Sequence, residues 1–351
     1  MPKIKNRILN SYFIELCNKL SKINQYITYP NPCVGAVLAG KNNYRVAFTG
    51  KDGSPHAENK LLQKINIGTY DTLYTSLEPC CHKGKNPPCT DMIIKKKIKL
   101  IYTSSQDQDV RVKNITKNIL KKNKIKIKYT NKSSKASLEH NYSSKSNMPF
   151  VHAKIAVSRD YYTKHKQKRL FTSLEALKFA HLKRYQSDSI LIGRKTLNDD
   201  NPKLTVRLKG LEKNIKKFVI NPNLIFKKNI LKNKFMLNSY VFHECRDVKL
   251  VKKYKKIFKL IFVNFNNKKS CEIILKKIYK LGFRKILIEG GMSTLKHFLD
   301  ANLVNELAVV KNKENFKKFG LLNAKQILHF HKKSPYEIIS LEDDTIMNYK
   351  L

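Results

Sequence analysis

The chain contains no apolar run long enough to cross a membrane, no secretory signal at its start and few cysteines. The first absence predicts a protein that does not span a membrane. The second indicates a cytoplasmic protein. The 7 cysteines are an odd number scattered from Cys17 to Cys271, which is unlike a disulfide framework and fits a reducing compartment.

Acidic residues are also scarce, since Asp and Glu number 26 against 71 Lys and Arg, a formal net charge of +45. A basic balance is the electrostatic footprint of nucleic-acid binders. Here, however, lysine pairs and triplets recur along the whole chain, with no basic tail and no patch interleaved with aromatic residues. This spread, in a chain that also lacks Trp, favours solvated lysine-rich faces over a nucleic-acid site, which would be clustered.

Neither G-x-G-x-x-G nor G-x-x-x-x-G-K-[ST] occurs in the sequence, so neither a standard Rossmann fingerprint nor a P-loop can be claimed. Two apolar segments nevertheless run into glycine turns, at residues 191–196 and 287–293. A helix is predicted directly after the second turn, so its backbone amides could hold a phosphate. Taken alone, a Gly-Gly pair more often marks an ordinary turn.

The stretch with the clearest chemistry is Pro55–Glu58, which is followed by E-P-C-C-H-K-G-K-N-P-P-C at residues 78–89. An imidazole from His56 and thiolates from Cys80 and Cys89 are three zinc ligands, and three ligands leave a fourth position for water, as in a catalytic site. Glu58 is then free to move protons for that water, as in zinc deaminases. The gap between Cys80 and Cys89 is wider than in the P-C-x-x-C pattern, so a longer loop must return the second thiolate.

Two other interpretations of these residues stay open. Cysteine is often a small buried apolar residue, and an H-x-E triplet is common by chance. A structural zinc would need a fourth protein ligand, for which Cys81 and His82 are the nearest candidates. A closed site of four protein ligands would have no zinc-bound water, so Glu58 would have no catalytic role.

A length of 351 residues is enough for two domains, and the apolar pattern predicts that both are α/β. A region poor in apolar residues, 131–147, marks the linker between them. The first domain is predicted to hold helices at 7–23, 56–65, 89–94 and 112–120 and strands at 34–38, 44–48, 73–76, 100–104 and 125–129. The second is predicted to hold strands at 151–157, 190–192, 218–220, 240–242, 260–263, 286–288 and 307–310 and helices at 174–185, 272–279 and 294–299.

Two arginines of the second domain, Arg184 and Arg207, are candidates for binding a substrate phosphate, because a guanidinium group matches phosphate geometry. In a chain this rich in lysine, either one could equally be a solvated surface charge.

These motifs resemble those of the bifunctional deaminase-reductase family of riboflavin biosynthesis over nearly the whole chain. The family's N-P-x-V-G is present at residues 31–35, its P-H-A-E at 55–58 and its L-E-P-C-x-H-x-G-[RK]-x-P-P-C at 77–89. The last motif is highly specific and accounts for the wide cysteine spacing. In the second half, K-x-A-x-S-x-D is kept at 154–160, T-x-x-x-D-N-P-x-L-T-x-R at 196–207 and E-G-G at 289–291.

The resemblance implies a cytidine-deaminase-like domain at residues 1–132, a linker at 133–147 and a dihydrofolate-reductase-like domain at 148–351. It implies Zn²⁺ and NADPH as cofactors and a small pyrimidine nucleotide as the substrate, which is first deaminated at the zinc and then reduced from ribosyl to ribityl. The oligomeric state is left open, a homo-oligomer included.

By the same resemblance, the substrate pocket of the deaminase includes Asn31, His82 and Lys85. Substrate positions of the reductase are Lys168, Arg184, Leu204, Arg207 and Glu289. Its cofactor positions are Ala156, Leu170, Thr196, Asp200, Gly290, Gly291, Met292, Ser293 and Thr294. Lys154 and Glu289 are the candidates for assisting the hydride step, and Glu58 is the catalytic residue of the deaminase.

The sequence departs from the family pattern mostly in the reductase. Tyr161 replaces the glycine after Asp160, Leu170 stands where many relatives carry Trp, and Lys168 stands where some carry Ser. In the deaminase, Thr49 falls where His is usual, and D-Q-D-V at residues 107–110 replaces D-P-N-P. The alternatives are therefore an enzyme with only the deaminase active, or a nucleic-acid deaminase or binding protein.

Overall fold

A computed structural model describes residues 2–41, 43–84, 86–328 and 334–351. The chain divides into two compact units, Met1–Met148 and Pro149–Leu351. Each unit has its own mixed β-sheet, its own helices and its own buried core. No helix among the described residues combines the length and the apolar character that crossing a membrane would require.

The first unit is built on a five-stranded sheet in the order β2-β1-β3-β4-β5. β1 is antiparallel to both β2 and β3, whereas β3, β4 and β5 are parallel. The first two strands therefore form an antiparallel hairpin. The strands are β1 (Gly35–Ala39), β2 (Tyr44–Phe48), β3 (Thr72–Thr75), β4 (Leu100–Thr103) and β5 (Lys126–Tyr129).

Helices cover both faces of this sheet, because its inner strand β1 is apolar on both sides. Along β1, Val37 packs with Phe13 and Ile14 of the first helix, while Ala36 and Leu38 point into a second core. That second core includes Leu61, Leu62 and Ile93 from the helices that carry the zinc motif. The helices are α1 (Pro2–Leu20), α2 (Ala57–Leu62), α3 (Cys89–Lys95), α4 (Ile115–Lys122) and α5 (Lys135–Ser146).

Most of the segment predicted as a linker, 133–147, is the helix α5. Ser134 caps it by accepting a hydrogen bond from the Ser137 backbone N–H, and Asn147 ends it in the left-handed conformation. Its buried face is made largely of Ser, Ala and Glu side chains, so the hydrophobic pattern gave no sign of a helix. The division between the two compact units falls just after this helix.

The second unit is built on a nine-stranded sheet in the order β11-β10-β9-β8-β12-β6-β13-β16-β15. The first seven strands in this order are parallel, and the last two run antiparallel to their neighbours. A separate ribbon pairs β7 with β14. The strands are β6 (Phe150–Val157), β7 (Tyr162–His165), β8 (Ser189–Gly193), β9 (Lys216–Ile220), β10 (Tyr240–His243), β11 (Lys259–Phe262), β12 (Lys285–Glu289), β13 (Glu306–Asn312), β14 (Gly320–Asn323), β15 (Glu337–Ser340) and β16 (Asp344–Lys350).

All seven strands predicted for this unit are confirmed, because each is a short run rich in apolar residues, and all but β11 include buried ones. The elements that the sequence prediction missed are polar or edge elements, namely α7, α8, α9, β7, β14, β15 and β16. The helices are α6 (Leu174–Tyr185), α7 (Arg194–Asp200), α8 (Lys228–Leu231), α9 (Val248–Lys255), α10 (Ser270–Lys280) and α11 (Met292–Asp300).

Candidate active sites

His56, Cys80 and Cys89 lie together in the first unit, with their ligand atoms all within 4.8 Å of one another. Nδ1 of His56 is 3.4 Å from Sγ of Cys80 and 3.4 Å from Sγ of Cys89. With Zn–S bonds of about 2.3 Å and Zn–N bonds of about 2.0–2.1 Å, a tetrahedral site separates its nitrogen and sulfur ligands by about 3.6 Å. The three side chains therefore already have nearly the spacing that a zinc ion requires.

The pKa values of the Cys80 and Cys89 thiols also favour binding of a metal ion. The hydrogen bond from Cys89, together with His56, lowers the pKa of Cys80 to about 4, while the same contact and burial raise the pKa of Cys89. Two neighbouring thiols thus share one proton. A divalent cation at this point replaces that proton and holds both groups as thiolates.

Glu58 lies beside this cluster in the first turn of α2, with an exposed fraction of 3%. Its Oε2 atom is buried and has no hydrogen-bond partner among the described residues. Burial raises the pKa of Glu58 to about 7. A buried carboxylate oxygen next to three metal ligands is the group that a metal-activated water would satisfy, so the residues fit a catalytic zinc.

Four hydrogen bonds from other parts of the first unit fix the loop that carries Cys80. The Thr90 backbone N–H donates to the Cys80 carbonyl at 3.2 Å, and the Thr116 hydroxyl donates to the Pro79 carbonyl at 2.9 Å. Glu78, exposed by only 3%, accepts from the Asp107 backbone N–H at 3.1 Å and from the Tyr129 hydroxyl at 2.7 Å. Glu78 was not predicted as a positioning residue, although it belongs to the E-P-C motif.

Replacing Tyr129 with Phe is expected to lower the free energy of unfolding by about 1–3 kcal/mol, because the buried Glu78 carboxylate loses a charge-assisted hydrogen bond. Urea unfolding of the full chain measures this. Tyr44→Phe is the matched control, since Tyr44 is 54% exposed on the strand at the opposite edge of the sheet and its replacement should change nothing measurable. Equal stabilities of the two variants would contradict the role given to Glu78.

The other residues predicted for this site lie around the cluster in different ways. The Asn31 amide donates to the Gly53 carbonyl at 3.1 Å and lies 3.5 Å from Nε2 of His56. His82 has a buried Nδ1 without a hydrogen-bond partner among the described residues. Lys85 lies outside the described residues. Their roles in substrate binding stay predictions.

Among the residues that the structure describes, no fourth protein ligand joins the cluster. Among the described residues, the group of possible metal ligands contains His56, Cys80 and Cys89 alone. The Cys81 thiol instead donates to the Arg111 carbonyl at 3.2 Å. This geometry favours the open catalytic site over the structural zinc that the sequence left as an alternative.

In the second unit, a cavity of about 1350 Å³ lies at the carboxyl ends of β6, β8 and β12. Ligands of parallel α/β sheets bind at this end of the strands. Every residue predicted for the reductase lines this one cavity: Lys154, Ala156, Lys168, Leu170, Arg184, Thr196, Asp200, Leu204, Arg207, Glu289, Gly290, Gly291, Met292, Ser293 and Thr294. The structure brings them together, and their individual roles stay predictions.

A largely buried group of charged side chains lines this cavity. Arg184 donates to both carboxylate oxygens of Glu289, from Nε at 2.7 Å and from Nη2 at 2.8 Å. Although burial raises the pKa of Glu289, the Arg184 guanidinium outweighs burial and holds that pKa below its usual range. Burial also lowers the pKa of Lys154, which is the register partner of Glu289 on the adjacent strand. Because Glu289 occupies its guanidinium fork, Arg184 is a weaker candidate than Arg207 for binding phosphate.

The glycine turn after β12 forms another part of the wall. Gly290 and Gly291 have φ angles of 73° and 71°, in the left-handed region that favours glycine. A Cβ on Gly291 would lie 2.9 Å from Oγ1 of Thr196. α11 begins at the next residue, so free backbone amides face the same space. The predicted phosphate-binding turn therefore has a backbone that a larger residue would disturb.

Of the departures from the family pattern in the second unit, Lys168 and Leu170 line this cavity, whereas Tyr161 is not one of its lining residues. Tyr161, where the family has glycine, adopts φ 70°, and its ring packs under Nζ of Lys311 at 4.3 Å. Lys168 pairs with Glu314 at 2.6 Å, and Leu170 is 63% exposed. The backbone thus keeps the conformation that a glycine would adopt, at the cost of strain in a tyrosine.

Two family descriptions match the chain, and each matches one unit. "Cytidine and deoxycytidylate deaminase zinc-binding region" matches residues 8–105, and "RibD C-terminal domain" matches residues 149–312. The "Riboflavin biosynthesis protein RibD" of Aquifex aeolicus is 29% identical over 319 residues, which cover 86% of this chain and 86% of the relative.

Two solved structures share the fold over almost the whole chain. Acinetobacter baumannii RibD has a TM-score of 0.81 at 22% identity and covers 97% of this chain and 98% of its own. A diaminohydroxyphosphoribosylaminopyrimidine deaminase/5-amino-6-(5-phosphoribosylamino)uracil reductase from Thermotoga maritima has a TM-score of 0.78 at 22% identity, with 98% and 99% covered. The predicted order of a cytidine-deaminase-like domain and a reductase domain is confirmed.

Proposed function

We propose that this chain, a member of the RibD family, catalyses two successive reactions on one phosphoribosylamino-pyrimidine. The first is the hydrolytic deamination of 2,5-diamino-6-(5-phosphoribosylamino)pyrimidin-4(3H)-one. The second is the NADPH-dependent reduction of the ribosyl group of the product to ribityl. The observation that carries the proposal is the cluster of His56, Cys80 and Cys89 beside a buried Glu58 oxygen that has no hydrogen-bond partner in the described part of the chain.

For the deamination, His56, Cys80 and Cys89 would hold a zinc ion, which would supply an activated water for attack on the ring carbon that bears the amine. Glu58 accepts the proton of that water at Oε2 and passes it to the leaving amine, so that ammonia departs. A carboxyl group with a pKa near neutrality suits both halves of this transfer. Asn31, His82 and Lys85 are proposed to hold the pyrimidine and its substituents.

For the reduction, the cavity of the second unit would hold NADPH, which would supply a hydride for the sugar carbon. Lys154, whose pKa is lowered by burial, is proposed to donate a proton from Nζ to the ribose oxygen as the ring opens. Glu289 stays a carboxylate because Arg184 stabilises it, so its proposed role is to hold the sugar hydroxyls and to balance the charge of Lys154. Arg207 is proposed to bind the substrate phosphate.

The choice of NADPH over NADH is part of the proposal. Three further basic residues that line the cavity, Arg194, Lys195 and Lys203, support it, because the extra phosphate of NADPH favours a basic wall. The sequence analysis did not select these residues, since nothing distinguishes them from the other lysines and arginines of the chain.

Replacing Gly291 with Ala is expected to raise the KM for NADPH by about tenfold or more, because the new Cβ is strained at positive φ and presses on Thr196. Initial rates of NADPH oxidation measure this. Gly210→Ala is the matched control, since Gly210 also has a positive φ, of 77°, but has nothing within 4 Å of a Cβ. A similar loss of NADPH affinity in both variants would contradict the placement of the cofactor.

The proposal as a whole is tested by product identification. The zinc-loaded chain is incubated with the diaminopyrimidinone phosphate, and the products are followed by mass spectrometry without and with NADPH. We expect exchange of an amine for oxygen without NADPH, and a further gain of hydrogen when NADPH is added. Unchanged substrate in both reactions would overturn the proposal.

A further inference from the structure

The loop between α7 and β9 carries two predicted substrate residues but little regular structure of its own. Between residues 201 and 215, the strand-like pairing that the structure describes is an isolated antiparallel bridge from Leu208 to Leu211. Asn201 and Leu204 both have positive φ angles, of 41° and 50°. Such conformations persist only where the surroundings hold them in place, so contacts outside the loop must fix it.

Two side chains of α6, one helical turn apart, make those contacts. Arg184 donates from Nη1 to the Thr205 carbonyl at 3.1 Å. His181 accepts, at Nδ1, a hydrogen bond from the Arg207 backbone N–H, also at 3.1 Å. One donor and one acceptor on the same face of α6 thus hold the backbone on either side of residue 206.

The hydrogen bond to His181 fixes its chemical state. A ring nitrogen that accepts carries no proton, so the proton of the neutral imidazole lies on Nε2. The side chain is 9% exposed and lines the cavity. Burial lowers the pKa of His181, and Arg184 and Arg207 lower it further, while Glu289 opposes them. His181 is therefore neutral near pH 7 and keeps its acceptor.

The hydrogen bond between His181 and the Arg207 backbone also affects the Arg207 side chain. Its Nη1 donates to the Thr205 hydroxyl at 3.1 Å, which aligns the guanidinium along the loop and leaves its other N–H groups for a ligand in the cavity. The direction of that side chain depends on the backbone at residue 207, which His181 holds.

We propose that His181 is a positioning residue for the reduction, which acts through Arg207 by holding the backbone from which this arginine reaches the substrate phosphate. This inference rests on the proposed function, since it assumes that the reductase binds a phosphorylated sugar. His181 was not selected from the sequence, because a lone histidine on a helix gives no signal of its own.

The test compares three substitutions in the full chain, with the deaminated pyrimidine nucleotide and NADPH as substrates. Asn places its side-chain oxygen near the position of Nδ1 and keeps the acceptor, Gln keeps a polar group near Nε2, and Leu keeps neither. We expect His181→Leu and His181→Gln to raise the KM for the nucleotide by about three- to tenfold, the effect of one lost hydrogen bond, with kcat little changed. His181→Asn should stay close to the wild type, and the KM for NADPH should not change in any variant.

A double-mutant cycle separates positioning from direct contact. In the Arg207→Met background, the effect of His181→Gln on the nucleotide KM should disappear, because the residue through which it acts is gone. Rescue by Gln and not by Asn would overturn the inference, as it would show that Nε2 contacts the substrate. Equal losses for Asn and Gln would overturn it as well.

Failure of the inference differs from failure of the proposed function. If the wild-type chain oxidises no NADPH with this nucleotide, the proposed function fails for the second unit. If the wild type is active and His181→Gln keeps the wild-type KM, the positioning role alone is wrong. If His181→Leu fails to fold, the comparison of His181→Asn with His181→Gln still tests the positioning role of His181.

Discussion

Glu58→Gln is expected to lower the rate of ammonia release by about 10²–10⁴-fold, the usual contribution of a positioned acid-base group. Gln has the same shape as Glu but cannot accept and return the proton. Because the side chain is 97% shielded and its Oε2 has no partner among the described residues, no hydrogen bond of the fold is expected to break at that atom. The measurement is single-turnover release of ammonia from the diaminopyrimidinone phosphate.

Two internal controls accompany this variant. Its zinc content should equal that of the wild type, because Glu58 is not a metal ligand in the geometry of the cluster. Its NADPH oxidation, assayed with the deaminated nucleotide supplied directly, should also be unchanged. Ammonia release at the wild-type rate would show that another group moves the proton.

Cys89→Ser is expected to remove both the metal and the deaminase activity. The wild type should bind about one zinc ion per chain through His56, Cys80 and Cys89, and a hydroxyl in place of one thiolate loses most of that affinity. Zinc is measured by atomic emission after dialysis, and ammonia release is measured on the same samples. Addition of a chelator to the wild type should give the same loss, restored by zinc.

Cys81→Ser is the matched control, one residue from a ligand but bonded to the Arg111 carbonyl. It should keep both zinc and activity. If Cys81→Ser lost zinc as fully as Cys89→Ser, the site would be a closed structural site with four protein ligands, and the catalytic interpretation would be wrong.

The sequence predicted the deaminase site in detail because the motif is local. His56 and Glu58 are two residues apart at the start of one helix, and Cys80 and Cys89 flank one loop, so spacing alone indicates that they meet. The same local logic found the buried strands of both sheets. It did not find α9, although Val248, Leu250, Val251 and Tyr254 are spaced as on a helix face, because lysines interrupt so short a segment.

The reductase cavity was harder to predict, because its residues come from strands and helices far apart in the chain. The Arg184–Glu289 pair spans more than a hundred residues, and no spacing rule relates two such positions. Family resemblance supplied the residue set, and the structure added how the charges are paired. The contact of His181 with the Arg207 backbone depends on a loop whose conformation no sequence pattern indicates.

The departures in the second unit decide between a bifunctional enzyme and one with only the deaminase active. Tyr161 keeps the positive φ of the glycine it replaces, and the predicted cofactor residues still line one cavity. These two observations favour a working reductase. Exposed Leu170 and the Lys168–Glu314 pair are the places where cofactor or substrate affinity would differ from that of relatives.

The most direct test of the account is a single reaction of the wild-type, zinc-loaded chain with the diaminopyrimidinone phosphate and NADPH, in which ammonia and NADPH are followed separately. We predict that ammonia appears first and that NADPH is then consumed in an equal amount. Ammonia without NADPH oxidation would show that only the deaminase is active, and the absence of both would contradict the central claim.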